Sequence, residues 1–269
     1  MFILKRTGIE ISVRIMLIFF AAMGAIPVIV LVLASISSGW SWPDVIPQKF
    51  SPRAWKYIFS SESIFAIVTT VKISAAVIFI DLILALPAAN ALGRHRFRFK
   101  RVTSALLMAP IIMPPLAITM GLHKTFIRMG LTENIWGVVA ASIFPTLPYM
   151  IRALAVGYEN IGPSWGEQAK MLGAGAFSRF CHVTFPLLLP AIVAGSSIVL
   201  LVSMSQYIIV LLIGGGTVKS LTVVMFPYIS GGDAAIGSAY SIIFAAVSLA
   251  LLFLMDIFIK RHYEIRKIY

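Results

Sequence analysis

Six long apolar runs dominate this sequence, and proline interrupts most of them. They cover Arg14–Ile36, Ile64–Leu92, Val102–Leu122, Asn134–Gly157, Thr184–Ile213 and Gly237–Ile259. About 20 apolar residues suffice to cross a bilayer as a helix. In hydrocarbon a chain has to satisfy its own backbone polar groups, which leaves helices as the way across for runs of this length. The pattern predicts an all-α membrane protein with six transmembrane helices in one domain, residues 1–269. The second and fifth runs exceed the need and are expected to tilt or project. Pro27, Pro87, Pro110, Pro114, Pro115, Pro145, Pro148 and Pro190 lie inside the runs. Each frees a carbonyl that a neighbouring helix has to satisfy, so a packed bundle is expected.

Composition excludes the soluble alternatives. The chain is 59% hydrophobic and 12% charged, against roughly 25% charged in soluble domains. A net charge of +12 would suggest nucleic acid in a soluble protein. Here the basic residues lie between apolar runs, so no nucleic-acid partner is expected and lipid is. Cys181 is alone and the four histidines are scattered, which predicts neither a disulfide nor a metal site. The first run is longer than a signal-peptide core and lacks an A-x-A site after it, so it is expected to remain as a span.

Lysine and arginine set the orientation. Six spans put both termini on one side. That side carries Lys5, Arg6 and Arg14, the RHRFRFKR loop, Lys170 and Arg179, and Lys260, Arg261, Arg266 and Lys267, 14 in all. The other side carries six: Lys49, Arg53, Lys56, Lys124, Arg128 and Lys219. Both termini and residues 158–183 are therefore expected in the cytoplasm.

That last stretch breaks the apolar pattern between the fourth and fifth spans. Pro163 and Ser164 suit a helix start, with Glu167 three residues after Ser164. Glu167 through Leu172 are good helix formers. Gly173 and Gly175 permit a change of direction. A second helical piece, Ala176–His182, leads into Phe185-Pro186. The expected structure is a helix–turn–helix at the membrane surface, with apolar Ala169, Met171 and Leu172 beside charges. Such a surface can dock a soluble partner.

At this point the sequence resembles a known family. Glu167-Gln168-Ala169, then Gly173, then Val183-Thr184-Phe185-Pro186 match the EAA loop of permease subunits of binding-protein-dependent ABC importers, the MetI-like superfamily. Every gap has the family length; Gln168, Val183 and Phe185 replace Ala, Ile and Leu. The resemblance implies a type I importer permease in a bacterial inner membrane. It implies that the loop is a coupling helix seated in a cytoplasmic ATPase, with Ser164, Glu167, Gln168, Ala169, Leu172, Gly173 and Ala174 at the contact. It implies an ATPase dimer, a second permease (a heterodimer by analogy) and an extracytoplasmic solute-binding protein as partners.

The chain itself has no phosphate cradle. The nearest decoy, GGGTVKS at Gly214–Ser220, places Val218 where a P-loop needs glycine before Lys-Ser/Thr. No catalytic residue and no bound cofactor are expected; ATP and magnesium would belong to the partner.

Polar groups inside spans are costly and mark candidate pathways. Asp81 lies near the middle of the second span, and either attracts a cation or bonds a neighbouring helix. Lys72 and Arg152 are expected to snorkel outward. Asp256 is expected to pair with Lys260, one turn on. On one continuous helix Ser203, Gln206, Tyr207 and Val210 share a face, which makes Ser203, Gln206 and Tyr207 pathway candidates. The APIIMPP stretch should distort span three. Two outer regions, Ser37–Ser63 with Trp40, Trp42 and Trp55, and Gly214–Ile236, are expected to meet the binding protein. The run after span five is most similar to the spermidine/putrescine-type branch, although Ser205-Gln206 stands where an acidic pair is common there. A polyamine is therefore the expected solute. The same class acting on phosphonate, thiamine, iron or an oxyanion is the alternative, followed by a stand-alone secondary transporter or channel and a scaffold without transport. No internal repeat supports a stand-alone carrier.

Overall fold

The computed structural model describes residues 2–40 and 43–266, with side chains for residues 13–40 and 43–258. Trp42 and Lys267 lie outside the described residues, as do the side chains of Lys5, Arg6, Lys260, Arg261 and Arg266, so the Asp256–Lys260 pairing falls outside them too. Among the described residues the chain is helical, with one isolated antiparallel bridge, Ser37 to Phe50. Twelve α-helices follow in order: α1 (Phe2–Ser35), α2 (Arg53–Ile58), α3 (Ser61–Arg94), α4 (Lys100–Ile112), α5 (Pro115–Met129), α6 (Ile135–Ile161), α7 (Ser164–Met171), α8 (Ala176–Arg179), α9 (Phe185–Met204), α10 (Tyr207–Gly214), α11 (Leu221–Ser230) and α12 (Ala234–Arg266).

Five helical stretches are long and apolar enough to cross a membrane, in α1, α3, α6, α8–α9 and α12. The α4–α5 pair makes a sixth if counted as one broken crossing, but it bends by 98°. The distortion expected of span three, Val102–Leu122, at APIIMPP is thus a sharp bend between α4 and α5. The cause is local. A residue before proline is pushed into extended backbone. Met113 (ψ 137°) precedes Pro114, and Pro114 (ψ 129°) precedes Pro115. Two successive residues therefore leave the helix, and Pro115 then opens α5 at the position where a missing N–H costs nothing. Single prolines do less: α1, α3, α6 and α9 run on through Pro27, Pro87, Pro145, Pro148 and Pro190.

The fifth span is also broken. The helix expected through Ile213 stops at Met204 and restarts at Tyr207. Gln206 has φ −74° and ψ 78°, and the Tyr207 amide donates to Ser205 O at 2.9 Å, an inverse γ-turn. The Ser205 hydroxyl donates back to Val202 O at 2.9 Å, a local bond that competes with the helical ladder. Ser203, Gln206, Tyr207 and Val210 consequently do not share one face.

The contacts divide the chain into two compact units. One comprises residues 1–64 and 225–245. In it the Ser63 hydroxyl and Tyr240 Oη share a 2.6 Å hydrogen bond, and Tyr57 packs edge-on against Tyr228 and Tyr240. Tyr228 donates to Tyr57 Oη, which holds its phenol above the ordinary tyrosine range. Arg53 reaches Asp233 at 2.7 Å. The two outer regions expected to meet a binding protein, 37–63 and the part of 214–236 within this unit, are thus joined. The described side chains of α1 have no buried stretch between Val13 and Ser35 at their most apolar; a helix apolar all round suits lipid.

The other unit comprises residues 65–224 and 246–269. Its core is a stripe of α3 (Ile73, Val77, Ala85, Ala89) against α6 (Val138, Ala141, Met150, Leu154, Tyr158) and α9 (Leu188, Ile192, Val199). A Cβ on Gly93 of α3 would lie 2.7 Å from Ala155 O and from Tyr158 Cβ. On α6 and α9 the close approach is reciprocal. A Cβ on Gly157 would lie 2.5 Å from Ala191 Cβ, and one on Gly195 would lie 3.0 Å from Ala153 Cβ. Each helix therefore presents two small residues four apart to the other, the device that lets helix backbones approach in lipid.

Candidate functional site

Two places concentrate the sequence-level candidates. The first is the polar segment after α6. α7 begins at Ser164, as expected, but no capping box forms: Pro163 is the N-cap and makes no side-chain cap. Its C-terminus is better fixed. Gly173 takes φ +82°, where glycine meets no Cβ penalty. The Gly173 amide donates to Lys170 O and the Ala174 amide to Ala169 O, both at 3.0 Å. That pair of bonds is a Schellman closure. Gly175 is ordinary extended backbone, so Gly173 alone makes the turn.

Of the candidate contact residues, Ser164, Glu167, Gln168, Leu172 and Gly173 are exposed, while Ala169 and Ala174 are half-buried. Met171, Leu172 and Phe177 are 88%, 89% and 82% exposed. These are bare apolar side chains on a charged, closed elbow. The second helical piece is shorter than expected: α8 ends at Arg179, and a π-helical turn, Phe180–Thr184, leads into α9. Pro186 has no N–H, and its ring crowds the carbonyl four residues back; the wider turn makes room for it.

The second place lies where the two broken crossings meet. Pro110, Met113, Pro115 and Ile118 of α4–α5, Pro145 and Tyr149 of α6, and Ser205, Gln206 and Tyr207 at the α9–α10 break line a cavity of about 400 Å³. Gln206 and Tyr207 are thus at the wall. Ser203 is buried and its hydroxyl has no partner; it does not reach the cavity. Asp81 does not line it either. Its side chain is fully buried in the α3 stripe, and neither carboxylate oxygen has a hydrogen-bond partner. The hydroxyl of Thr146, beside it on α6, donates instead to Ser142 O at 2.8 Å.

Two helices start at this cavity. α10 has no side-chain cap at Gln206, and α5 has none at Pro114. First-turn amides without caps carry the positive end of the helix dipole. No carboxylate lines the cavity among the described residues. Sequence reasoning missed Ser205, Tyr149 and Pro145 as wall residues. The signal available was Pro145 with Tyr149 one turn later, opposite a double proline. A larger groove of about 850 Å³ runs between α4, α6 and α9, with Arg152, Asn160 and Trp165 on its rim.

Comparison with known proteins places this geometry in a lineage. The chain is 26% identical over 250 residues to the molybdenum transport system permease protein ModB of Mycobacterium tuberculosis, covering 87% of this chain and 91% of that one. It is 25% identical over 241 residues to the spermidine/putrescine transport system permease protein PotC of Haemophilus influenzae, covering 88% and 92%. In fold it is similar to a chain of the bacterial alginate ABC transporter in complex with an alginate pentasaccharide-bound periplasmic protein, with TM-score 0.70, 14% identity and 94% of each chain covered. The sequence profile described as binding-protein-dependent transport system inner membrane component matches residues 10–263. The chain is therefore a multi-pass membrane protein that belongs to the family of binding-protein-dependent transport system inner membrane components.

Proposed function

We propose that this chain is an importer permease worked through α7 by a separate ATPase, and that it passes a small oxyanion-bearing solute along the cavity at Gln206 and Tyr207. The exposed apolar elbow carries the first half. Met171 and Leu172 project from the end of α7, closed by Gly173, and Phe177 from α8, all inside the spacing from Glu167 to Pro186. An ATPase groove would cover them, with Glu167 meeting basic groups there. The chain binds no nucleotide on this reading; ATP and magnesium sit on the ATPase dimer. A second permease, forming a heterodimer, and lipid cover the apolar flanks. An extracytoplasmic binding protein delivers the solute at the outer face, and both termini are cytoplasmic in a bacterial inner membrane.

The solute class rests on the cavity wall. Two uncapped helix starts favour negative charge, and Gln206 and Tyr207 supply neutral hydrogen-bonding groups. The similarity to a molybdenum permease agrees. A polyamine, expected from the sequence and named for the PotC relative, is the second reading. A polycation needs carboxylates on its path, and Asp81 lies away from this wall.

The test is reconstitution with the neighbouring ATPase and binding protein. Deleting Glu167–Gly173, or Leu172→Glu alone, is expected to abolish copurification with the ATPase while membrane insertion persists. Uptake of molybdate, sulfate or a phosphonate is expected, with Gln206→Ala lowering it about tenfold, the loss of one or two hydrogen bonds. Retained ATPase binding by the deletion variant overturns the coupling assignment. Uptake of spermidine without any oxyanion uptake overturns the solute assignment.

A further inference from the structure

Behind α7 lies a small polar cavity that the transport reading does not use. It measures about 240 Å³ and is lined by Asn90 and Arg94 of α3, Tyr158 of α6, Gly166 of α7, and Ala176, Arg179, Phe180 and Thr184 of the turn into α9. Two guanidinium groups therefore share one cavity. The Nε atoms of Arg94 and Arg179 are shut off from solvent and have no hydrogen-bond partner. Arg94 is held over the Tyr158 ring, 4.9 Å from its centre, which fixes the guanidinium without spending its donors. The nearest acidic residues in sequence, Glu159 and Glu167, do not line the cavity.

A buried donor without a partner is costly, and a charged one more so. Two like charges add to that cost. Guanidinium groups match oxyanions in shape and charge, with two parallel N–H donors each. The cavity also holds an acceptor without a donor, Asn90 Oδ1, likewise closed to solvent. An oxyanion that keeps one hydroxyl satisfies both needs, accepting from the arginines and donating to Asn90. Monohydrogen phosphate carries such a hydroxyl, as does a phosphomonoester in its singly protonated form; phosphodiesters do not.

We infer that Arg94, Arg179 and Asn90 form a binding site for a terminal phosphate group that keeps one hydroxyl, either free inorganic phosphate or the headgroup of phosphatidate, between the base of α3 and the α7–α8 elbow. An occupant ties the elbow to the helix core, because Arg94 belongs to one and Arg179 to the other. The site needs no ATPase and stands apart from the solute cavity.

The test uses the full chain in phosphatidylcholine nanodiscs. Phenylglyoxal modification of Arg94 and Arg179 is followed by mass spectrometry, with inorganic phosphate added or with phosphatidate in the disc. Saturable protection of both arginines by inorganic phosphate supports the site with a soluble occupant. Protection by phosphatidate alone supports it with a lipid occupant. Equal modification under all conditions overturns it. Arg94→Gln with Arg179→Gln is expected to weaken binding of the protecting probe at least about tenfold, whereas Arg98→Gln, on the exposed loop before α4, leaves it unchanged. An equal loss in Arg98→Gln shows diffuse basic attraction and also overturns the site. Protection of the unsubstituted chain decides the matter if the double variant fails to insert.

Discussion

The tightest contact between α6 and α9 permits a quantitative prediction for Gly157→Ala. The new methyl would lie 2.5 Å from Ala191 Cβ and 2.8 Å from Leu188 Cδ1. Carbon atoms pack best at about 3.5–4.0 Å, so the helices have to separate locally by about 1 Å. A gap of that size forfeits a quarter to a half of each dispersion contact along the seam. Overpacking of this kind costs about 1–3 kcal/mol. The assay is thermal unfolding in detergent, followed by a thiol-reactive dye at Cys181, the only cysteine in the sequence. A drop of several degrees is expected. Ala191→Gly in the same chain removes the opposing methyl and should restore most of the loss, in a double-mutant cycle. The Leu188 clash remains, and Leu188 is fully buried, so recovery stays incomplete. Gly157→Ala with unchanged stability, or no coupling to Ala191→Gly, refutes the close seam.

Three further outcomes follow from single sites. Asp81→Asn keeps shape and removes a buried ionisable group, so stability and transport are expected to hold; a large loss of transport, measured by uptake, would show that the carboxylate serves the solute. Asp233→Ala removes both the exposed Arg53 pair and the cap on the Ile236 amide at 3.2 Å, at a cost of about 1–2 kcal/mol. Asp233→Asn keeps the cap and should cost under about 1 kcal/mol in the same melt. Gly137→Ala would drive a methyl to 1.6 Å from Leu131 O, a backbone contact that cannot rotate away; loss of folded protein on size-exclusion chromatography is expected, beyond the ~3 kcal/mol usual for overpacking.

The spans were legible because hydrocarbon permits few alternatives to a helix, and run length alone finds them. The elbow was legible because Gly173 and the spacing to Pro186 impose one turn and one re-entry. The breaks were less so. Pro114-Pro115 announces distortion, but only the paired extended residues Met113 and Pro114 fix its size. The stop after Met204 has no glycine or proline to mark it. A serine hydroxyl bonding its own backbone and one γ-turn suffice, and helical periodicity carried past that point grouped Ser203 with Gln206 and Tyr207, although Ser203 is buried away from the cavity those two line. Asp81 showed the reverse difficulty. Its sequence position left a pathway and a bond to a neighbouring helix both open, whereas its place in the stripe Ile73, Val77, Ala85, Ala89 depends on which side of α3 meets α6.

A rod cannot push through a right angle. With two extended residues at its corner, the α4–α5 crossing turns an axial thrust into a swing of one arm about Met113 and Pro114. On the proposed coupling, a stroke at the elbow would travel as a strut load along α6 and α9, whose small residues interlock, and reach the cavity as rotation of its jointed walls rather than as a piston.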